Sequence, residues 1–364
     1  MADKASFTLE SARVKVEELR AEVHRRGVQG MDATIDATLI TLFAPGNNNH
    51  ILMEAVPGVG KTLLARTIAE ACDMDFSRIQ MTPQTMPEDI TGDESPVFDD
   101  RGNMTGEFSF RKGPIFARGI VLTDEINRTS PRTTSAVLEP MEELQVTTKR
   151  SGTIKLEPPF NVFATQNPLD QTTGGGTYAM SEAQKDRFMM KINVPYISDE
   201  ETLRVLEAED SNLQARGLDI AGQTHDEAVE ALSARSSIRK VISAEDILEI
   251  RELVDGGIFI SSELRQIIVE FTNLTRPNEA RLVAQGNIVV GGSTRFPIYL
   301  QRAIKTRAFL EGRNFVVPQD IVQLAPFVLG HRIGYNRDVD LSKRSEILDR
   351  TLDEILGQVF IARL

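Results

Sequence analysis

The sequence predicts an α/β protein in which a parallel sheet is sandwiched by helices and followed by an all-α domain. Three observations support this fold class. The apolar run 51–53 leads through a glycine-rich loop into a helical pattern at 63–70, which is the order strand, loop, helix. Two further strand-like segments, 119–122 and 161–165, lead into polar side chains, as parallel strands do where their carboxyl ends form a binding site. Beyond residue 198, helical spacing of apolar residues dominates the chain.

This change of pattern divides the chain into two predicted domains, residues 1–198 and 199–364. In the second domain, apolar residues recur at helical spacing over 244–254, 261–274 and 295–311. A length of 364 residues is typical of roughly two domains.

Composition narrows the class of protein. With 41% hydrophobic and 26% charged residues, the chain has the makeup of a soluble globular protein. Its net charge of −12 and its lack of any basic run of five or more residues make nucleic acid an unexpected partner. It has no apolar stretch long enough for a membrane span and no apolar signal core after Met1. Its single cysteine, Cys72, cannot form an internal disulfide, so a cytoplasmic protein is predicted.

Three segments outside the predicted core strands have patterns of their own. Residues 8–26 place apolar residues among charged ones and predict an exposed amphipathic helix. Residues 76–113 are rich in proline and glycine and predict a loop-rich excursion that contains a hairpin strand. The runs 145–148 and 153–156 flank a turn, which predicts a β-hairpin with a basic tip at 149–150.

The glycine-rich loop after the first strand predicts a polyphosphate site. Its glycines let successive backbone N–H groups point inward, and the start of the following helix adds partial positive charge. Lys61 would reach the β- and γ-phosphates of a bound polyphosphate, and the hydroxyl of Thr62 would bind Mg²⁺. Ala55 stands where the P-loop pattern has its first glycine. The residues predicted to bind the nucleotide are Pro57, Gly58, Val59, Gly60, Lys61, Thr62 and Asp124.

Two acids follow the apolar strand that begins at Gly119. Asp124, at the carboxyl end of that strand, can hold Mg²⁺ together with Thr62. Glu125, one residue further on, can orient and deprotonate the attacking water. After a phosphate-binding loop, this pair predicts a Walker B arrangement.

Two later polar residues are ambiguous from the residues alone. Asn167 would lie beside the phosphate site if its strand neighbours the first strand in a parallel sheet. The alternative is a turn-forming asparagine before Pro168. Arg187 follows a short polar helix, and it could serve a phosphate site only through folding or from a neighbouring subunit. Otherwise it forms an ordinary surface ion pair.

Seven sequence blocks occur in one order, at 54–62, 78–83, 89–92, 113–117, 124–128, 164–168 and 182–188. In these blocks the chain resembles the MoxR-type AAA+ ATPases. The resemblance implies an AAA+ core with a helix-2 insert at 76–113 and a pre-sensor 1 hairpin at 144–156, followed by a helical lid. It also implies a homo-oligomeric ring, usually a hexamer, with ATP bound between subunits.

The resemblance further assigns roles that spacing could not. Asn167 matches the sensor 1 position, and Arg187 matches the arginine finger contributed to the next subunit's ATP. Arg295 matches sensor 2, where Gly292 and Thr294 depart from the family's usual residues. At the start of a helix, Arg295 would reach a γ-phosphate in its own subunit, and the alternative is a solvated capping segment.

The block 329–333 resembles a lid signature of the same family. Its His331 has no second histidine or cysteine nearby in the sequence, so we expect it to be packed or hydrogen-bonded rather than to bind a metal.

Three functions are compatible with these features. The first is an ATP-hydrolysing remodeller of client proteins, because the family it resembles acts in assembly or metal insertion and is often paired with von Willebrand A domain proteins. The second is a nucleic-acid-stimulated motor, which the acidic composition disfavours. The third is a nucleotide-gated scaffold with little turnover, supported by Ala55 and opposed by Glu125.

Overall fold

The computed structural model describes residues 7–28, 30–55, 58–167, 178–196, 199–203, 238–277, 288–336, 339 and 344–358.

A five-stranded parallel sheet forms the centre of the first domain. Its strands are β1 (Ile51–Ala55), β2 (Asp75–Gln80), β5 (Gly119–Asp124), β8 (Asn161–Gln166) and β9 (Met190–Val194). Their spatial order is β2-β5-β8-β1-β9, and every neighbouring pair is parallel. The sheet therefore places the carboxyl ends of β5, β8 and β1 side by side, which is where ligands bind in such folds.

Helices lie on both sides of the sheet. They are α1 (Leu9–Arg25), α2 (Asp32–Phe43), α3 (Lys61–Ala71), α4 (Pro87–Thr91), α5 (Pro131–Glu143) and α6 (Glu182–Lys185). Local sequence explains several helix starts. The Thr8 hydroxyl caps α1, and α5 has Pro131 in its first turn after the N-cap Ser130, whose hydroxyl accepts from the backbone N–H of Thr133.

The core alternates across the sheet as the period of two in a strand requires. Ile51 and Met53 of β1 pack on one side with α1, α2 and α3, whereas Leu52 packs on the other side with α5. Fully buried Cys72 belongs to the first cluster.

The excursion predicted at 76–113 begins differently from the prediction. Its first residues belong to β2, which is an edge strand of the main sheet. Of the six residues of β2 only Ile79 is buried, so the strand lacks the apolar run that would identify it in the sequence. The hairpin strand is confirmed, since β3 (Gly92–Phe98) and β4 (Met104–Lys112) pair antiparallel.

The second hairpin is confirmed as β6 (Gln145–Thr147) and β7 (Thr153–Lys155). Its tip contacts the first hairpin. One carboxylate oxygen of Glu94 accepts from the backbone N–H groups of Arg150 and Ser151 at 3.1 and 2.6 Å. The guanidinium of Arg150 lies 3.8 Å from the centroid of the Phe108 ring. The two hairpins therefore form one connected surface.

The second domain contains the helices α7 (Ala244–Gly257), α8 (Ser262–Leu274), α9 (Arg295–Leu310), α10 (Pro318–Leu329) and α11 (Arg344–Leu356). It also contains a small antiparallel ribbon, β10 (Ile288–Val290) with β11 (Gly334–Tyr335), which the all-helical prediction missed. Its helices share a hydrophobic cluster with α1 and α2. The predicted boundary near residue 198 stays a prediction, because residues 197 and 198 lie outside the described part of the chain.

In the described residues, no helix combines the length and the apolar character that crossing a membrane requires.

Candidate nucleotide site

The loop after β1 has the backbone of a phosphate-binding loop. Gly58 and Gly60 have φ angles of +86° and +81°, the left-handed region that favours glycine. Gly60 is the N-cap of α3, which begins at Lys61. Because the first N–H groups of a helix have no partner inside it, the start of α3 offers donors to an anion. Pro57 lies outside the described residues.

Lys61 folds back onto the end of β1. Its Nζ donates to the carbonyl oxygen of Ala55 at 3.3 Å. Ala55 is a buried strand residue paired with Val194, so a side chain at the position of the missing glycine causes no backbone strain. Burial lowers the pKa of Lys61, while the nearby carboxylates of Asp124 and Glu125 act in the opposite direction. Lys61 and the two acids therefore lie together at the carboxyl ends of the sheet strands.

Asp124 ends β5 and is almost fully buried. Its Oδ2 accepts from Nε of Arg78 on β2 at 2.7 Å, and its Oδ1 accepts from the hydroxyl of Thr165 on β8 at 3.0 Å. The same hydroxyl accepts from the backbone N–H of Glu125 at 3.1 Å. Thr165 thus fixes both acids of the pair relative to each other.

Glu125 has a φ of +59°, which is uncommon outside glycine and costs about 1–3 kcal/mol where the surroundings enforce it. Its Oε1 accepts from the side-chain amide of Asn167 at 3.2 Å, and its Oε2 accepts from the amide of Gln80 at 3.1 Å. Arg128 approaches Oε2 at 3.3 Å. This carboxylate is therefore held by side chains from three adjacent strands or from the residues after them: Gln80 ends β2, Arg128 follows β5 and Asn167 follows β8. It remains partly exposed.

The donor set fits a magnesium nucleotide. Left-handed glycines and a helix start suit a polyphosphate, and a carboxylate with a neighbouring hydroxyl residue suits Mg²⁺, which prefers oxygen ligands. Thr62 lies in the first turn of α3, and a metal ion at Asp124 would compete with Arg78 for Oδ2.

The two arginines predicted to act on ATP lie at the opposite ends of the sheet strands from Lys61. Arg187 precedes β9, and its Nε lies 3.3 Å from Oε2 of Glu142 in the last turn of α5. The guanidinium of Arg295 contacts the other oxygen of Glu142 and pairs with Asp186 at 3.1 Å. The backbone carbonyl of Glu142 accepts from the side-chain amide of Asn48, just before β1, at 2.9 Å. This arginine pair therefore lies at the amino ends of the strands.

The expectation that Arg295 reaches the γ-phosphate of its own subunit does not match this geometry. Lys61 follows β1, whereas Arg187 precedes the parallel neighbour β9, so a five-residue strand separates the two edges. At 3.2–3.4 Å per residue, that strand spans roughly 16 Å. The physical reason is the anchoring of the start of α9, where the Ser293 hydroxyl donates to Asp186 at 2.8 Å.

Comparisons with known proteins agree with this architecture. A family model described as "ATPase family associated with various cellular activities (AAA)" matches residues 50–190, and an "AAA lid domain" model matches residues 281–351. The chain is 32% identical over 352 residues to "Chaperone MoxR1" of Mycobacterium tuberculosis, covering 93% of this chain and 84% of that protein. This chain belongs to the MoxR family of AAA+ ATPases.

Other relatives of this MoxR-family chain are of similar length. It is 38% identical over 298 residues to the Bacillus subtilis protein YeaC, covering 82% of this chain and 81% of that protein. It also matches the crystal structure of a protein from Cytophaga hutchinsonii, with 35% identity and a TM-score of 0.73. That match covers 94% of this chain and 96% of that one.

Sequence reasoning missed several residues around the MoxR-family site. Arg78 and Gln80 belong to the block at 78–83, and Thr165 belongs to the block at 164–168, so the sequence marks their positions but assigns them no role. Glu142 carries no local signal, because only the fold brings the end of α5 to Arg187 and Arg295.

Proposed function

We propose that this chain hydrolyses ATP, with Mg²⁺, at sites shared between the subunits of a homo-oligomeric ring. The observation that carries the proposal is the placement of Glu125. Its carboxylate is held by Asn167 and Gln80 in a left-handed backbone position, on the same edge of the sheet as Lys61 and Asp124.

One subunit would supply the binding half of the site. The loop 58–60 and the start of α3 would hold the phosphates, and Lys61 would leave Ala55 to neutralise their charge. Mg²⁺, held by Thr62 and Asp124, would offset further negative charge on the phosphates. Glu125 would orient a water molecule and take its proton, while Asn167 holds the carboxylate in place.

The neighbouring subunit would supply the cations. Arg187 and Arg295 share Glu142, so we propose that both face the same ATP, bound by the next subunit. This replaces the assignment of Arg295 to its own subunit. The two guanidiniums would stabilise the negative charge that develops on the transferred phosphoryl group.

The work done with this ATP would be remodelling of client proteins. The support is family membership together with the relative named "Chaperone MoxR1". A hexameric ring, a von Willebrand A domain partner and activation or metal insertion in clients extend the proposal from the family resemblance. A cytoplasmic setting belongs to it too, because the thiol of Cys72 is buried and free.

The runner-up, a nucleic-acid motor, would use the basic hairpin tip. In the structure Arg150 stacks over Phe108, and the backbone beside it is bonded to Glu94, so the tip is engaged with the other hairpin. ATPase activity raised by DNA in a salt-dependent manner would favour this motor.

The proposal is tested by comparing Glu125→Gln with Glu88→Gln, a control on the exposed face of α4. Glu125→Gln should bind ATP with wild-type affinity and lose turnover by about 10²–10⁴-fold, because the general base is gone while the phosphate contacts remain. Glu88→Gln should behave as wild type. Steady-state phosphate release and ATP binding measure the two effects. Unchanged turnover in Glu125→Gln would remove Glu125 from the role of general base, whereas wild-type protein that binds ATP but releases almost no phosphate would support the scaffold function instead.

A further inference from the structure

A buried arginine of the lid forms hydrogen bonds with the segment that carries Arg187. Arg332 follows α10 and is 2% exposed. Its Nε donates to Oδ1 of Asp186 at 2.9 Å, and its Nη2 donates to the backbone carbonyls of Asp186 at 3.1 Å and Phe188 at 2.6 Å. The acceptors are the residues on either side of Arg187.

Neighbouring lid residues close on the same segment. His331 lies 2.9 Å from the carbonyl of Phe188 through its Nε2. Ser293 and Arg295, at the start of α9, both bond the carboxylate of Asp186. The lid of this chain therefore contacts the segment 186–188 from two elements.

The buried charge of Arg332 stabilises a fixed contact between the lid and the segment 186–188 and is not placed to bind a ligand. Burial lowers its pKa to about 10, with the carboxylate of Asp186 opposing the shift, so the guanidinium is charged at neutral pH. A buried charge is tolerated when its hydrogen bonds are satisfied, and removing one partner leaves the other desolvated and unpaired. Because Arg332 is buried, it contacts the neighbours of Arg187 and is not accessible to a bound phosphate.

We propose that Arg332 is a positioning residue that locks the segment bearing Arg187 to the lid of its own chain. The lid of one subunit then sets where Arg187 stands against the ATP of the next subunit. This inference rests on the proposed function, because it requires Arg187 to act on the neighbouring site. Movement of the lid in one subunit would therefore change the rate of ATP hydrolysis in the next subunit.

The inference makes Arg332 and Arg187 members of one functional group, which subunit mixing can test. Arg332→Gln alone should bind ATP within about threefold of wild type and lose at least about tenfold in turnover. Mixed with Glu125→Gln, it should regain activity, because the Glu125→Gln subunit presents an intact Arg187 to the intact Glu125 of its neighbour. In random 1:1 rings, about a quarter of interfaces join these two intact halves.

A second mixture separates positioning from general damage. Arg332→Gln mixed with Arg187→Ala should stay inactive, since neither subunit presents a well-placed arginine. Arg332→Lys keeps the buried charge but only part of the hydrogen bonding, so it should keep intermediate turnover and be restored in the same mixture as Arg332→Gln. Thermal unfolding of each variant shows whether the fold survives.

The outcomes are distinct. If Arg187→Ala regains activity with Glu125→Gln but neither Arg332 variant does, the positioning role is overturned and the shared site stands. If Arg187→Ala regains nothing although mixed rings form, the shared site itself is wrong, and the inference falls with it. If both Arg332 variants fail to fold, Arg332 serves stability alone and the inference is also overturned.

Discussion

The carboxyl ends and the amino ends of the sheet strands carry opposite halves of the proposed chemistry. We call them the carboxyl edge and the amino edge of the sheet. At the carboxyl edge, Asp124 and Glu125 lie near Lys61, in a loop shaped to receive phosphate. At the amino edge, Arg187 and Arg295 converge on Glu142. Each edge is internally balanced, since the acids of one pair with nearby cations and the cations of the other share a carboxylate.

The difference between the edges indicates why one chain would not suffice. A strand of about 16 Å separates them, and a guanidinium stabilises a developing charge only within hydrogen-bond distance. In a ring, the amino edge of one subunit can face the carboxyl edge of the next, because head-to-tail contacts join unlike surfaces.

The largest effects should show that the two edges do different things. Lys61→Ala should lose ATP binding itself, because the charge that reaches the phosphates is removed. Arg187→Ala should bind ATP normally and lose about 10³-fold or more in turnover, as expected of an arginine finger. ATP titration by fluorescence or calorimetry, with phosphate release on the same samples, separates the two behaviours.

Two further results would contradict this division. Normal hydrolysis by Arg187→Ala would return that residue to an ordinary surface ion pair, and normal ATP affinity in Lys61→Ala would remove the phosphate-binding role of the loop. Activity restored by mixing Arg187→Ala with Glu125→Gln should fall on dilution, because a shared site exists only while subunits are assembled.

Sequence predicted the carboxyl edge better than the amino edge, for a physical reason. Gly58, Lys61, Asp124 and Glu125 are defined by local patterns, because a loop and a strand end fix the geometry of adjacent residues. The pairing of Glu142 with Arg187 and Arg295 depends on how α5 and the lid pack, and no local pattern encodes it.

Secondary structure shows the same contrast. Strands β1, β5 and β8 are buried and apolar, and the sequence predicted them. Strand β2 lies at the sheet edge with one buried residue, and the three-residue β10 pairs with the two-residue β11, so neither leaves a periodic signal.

Acid should destabilise the protein through two buried histidines near the amino edge. His50, which precedes β1, is fully buried between the carbonyl of Met141 in α5 and the backbone N–H of Val162 in β8. Burial lowers its pKa to about 4, with a smaller contribution from the charge of Arg251. Burial also lowers the pKa of His331, at the Phe188 carbonyl, well below its usual value.

The sign follows from proton uptake on unfolding. Between pH 6.5 and 4 the unfolded chain protonates these histidines and the native chain does not, so stability falls as pH drops through this window. The stabilisation is fully present above pH 6.5, and His50 alone should cost on the order of 3 kcal/mol by pH 4. Denaturant unfolding at pH 7.0, 6.0 and 5.0 measures the slope.

Matched substitutions assign that slope. The side chain of His50→Gln can still donate and accept hydrogen bonds, but it takes up no proton. The substitution should therefore flatten the pH dependence of the unfolding free energy between pH 6.5 and 5. His331→Gln, at the other buried histidine, should flatten it as well. Equal slopes in His50→Gln and wild type would show that His50 is not the group that takes up the proton.

The smallest effect concerns Arg78 at the carboxyl edge, which occupies an oxygen of the proposed magnesium ligand Asp124. The Arg78 side chain is 47% exposed, so solvent weakens the pair even though the side chain of Asp124 is only 9% exposed, and we expect the pair to be worth about 0–1 kcal/mol. Removing it should therefore lower the Mg²⁺ concentration for half-maximal ATPase activity by at most about fivefold. Arg132→Ala, at an exposed arginine in the first turn of α5, is the control and should leave that concentration unchanged. If Arg78→Ala instead needs more Mg²⁺ than wild type, Arg78 orients Asp124 for the metal rather than competing with it, and the carboxyl edge is organised before the metal binds.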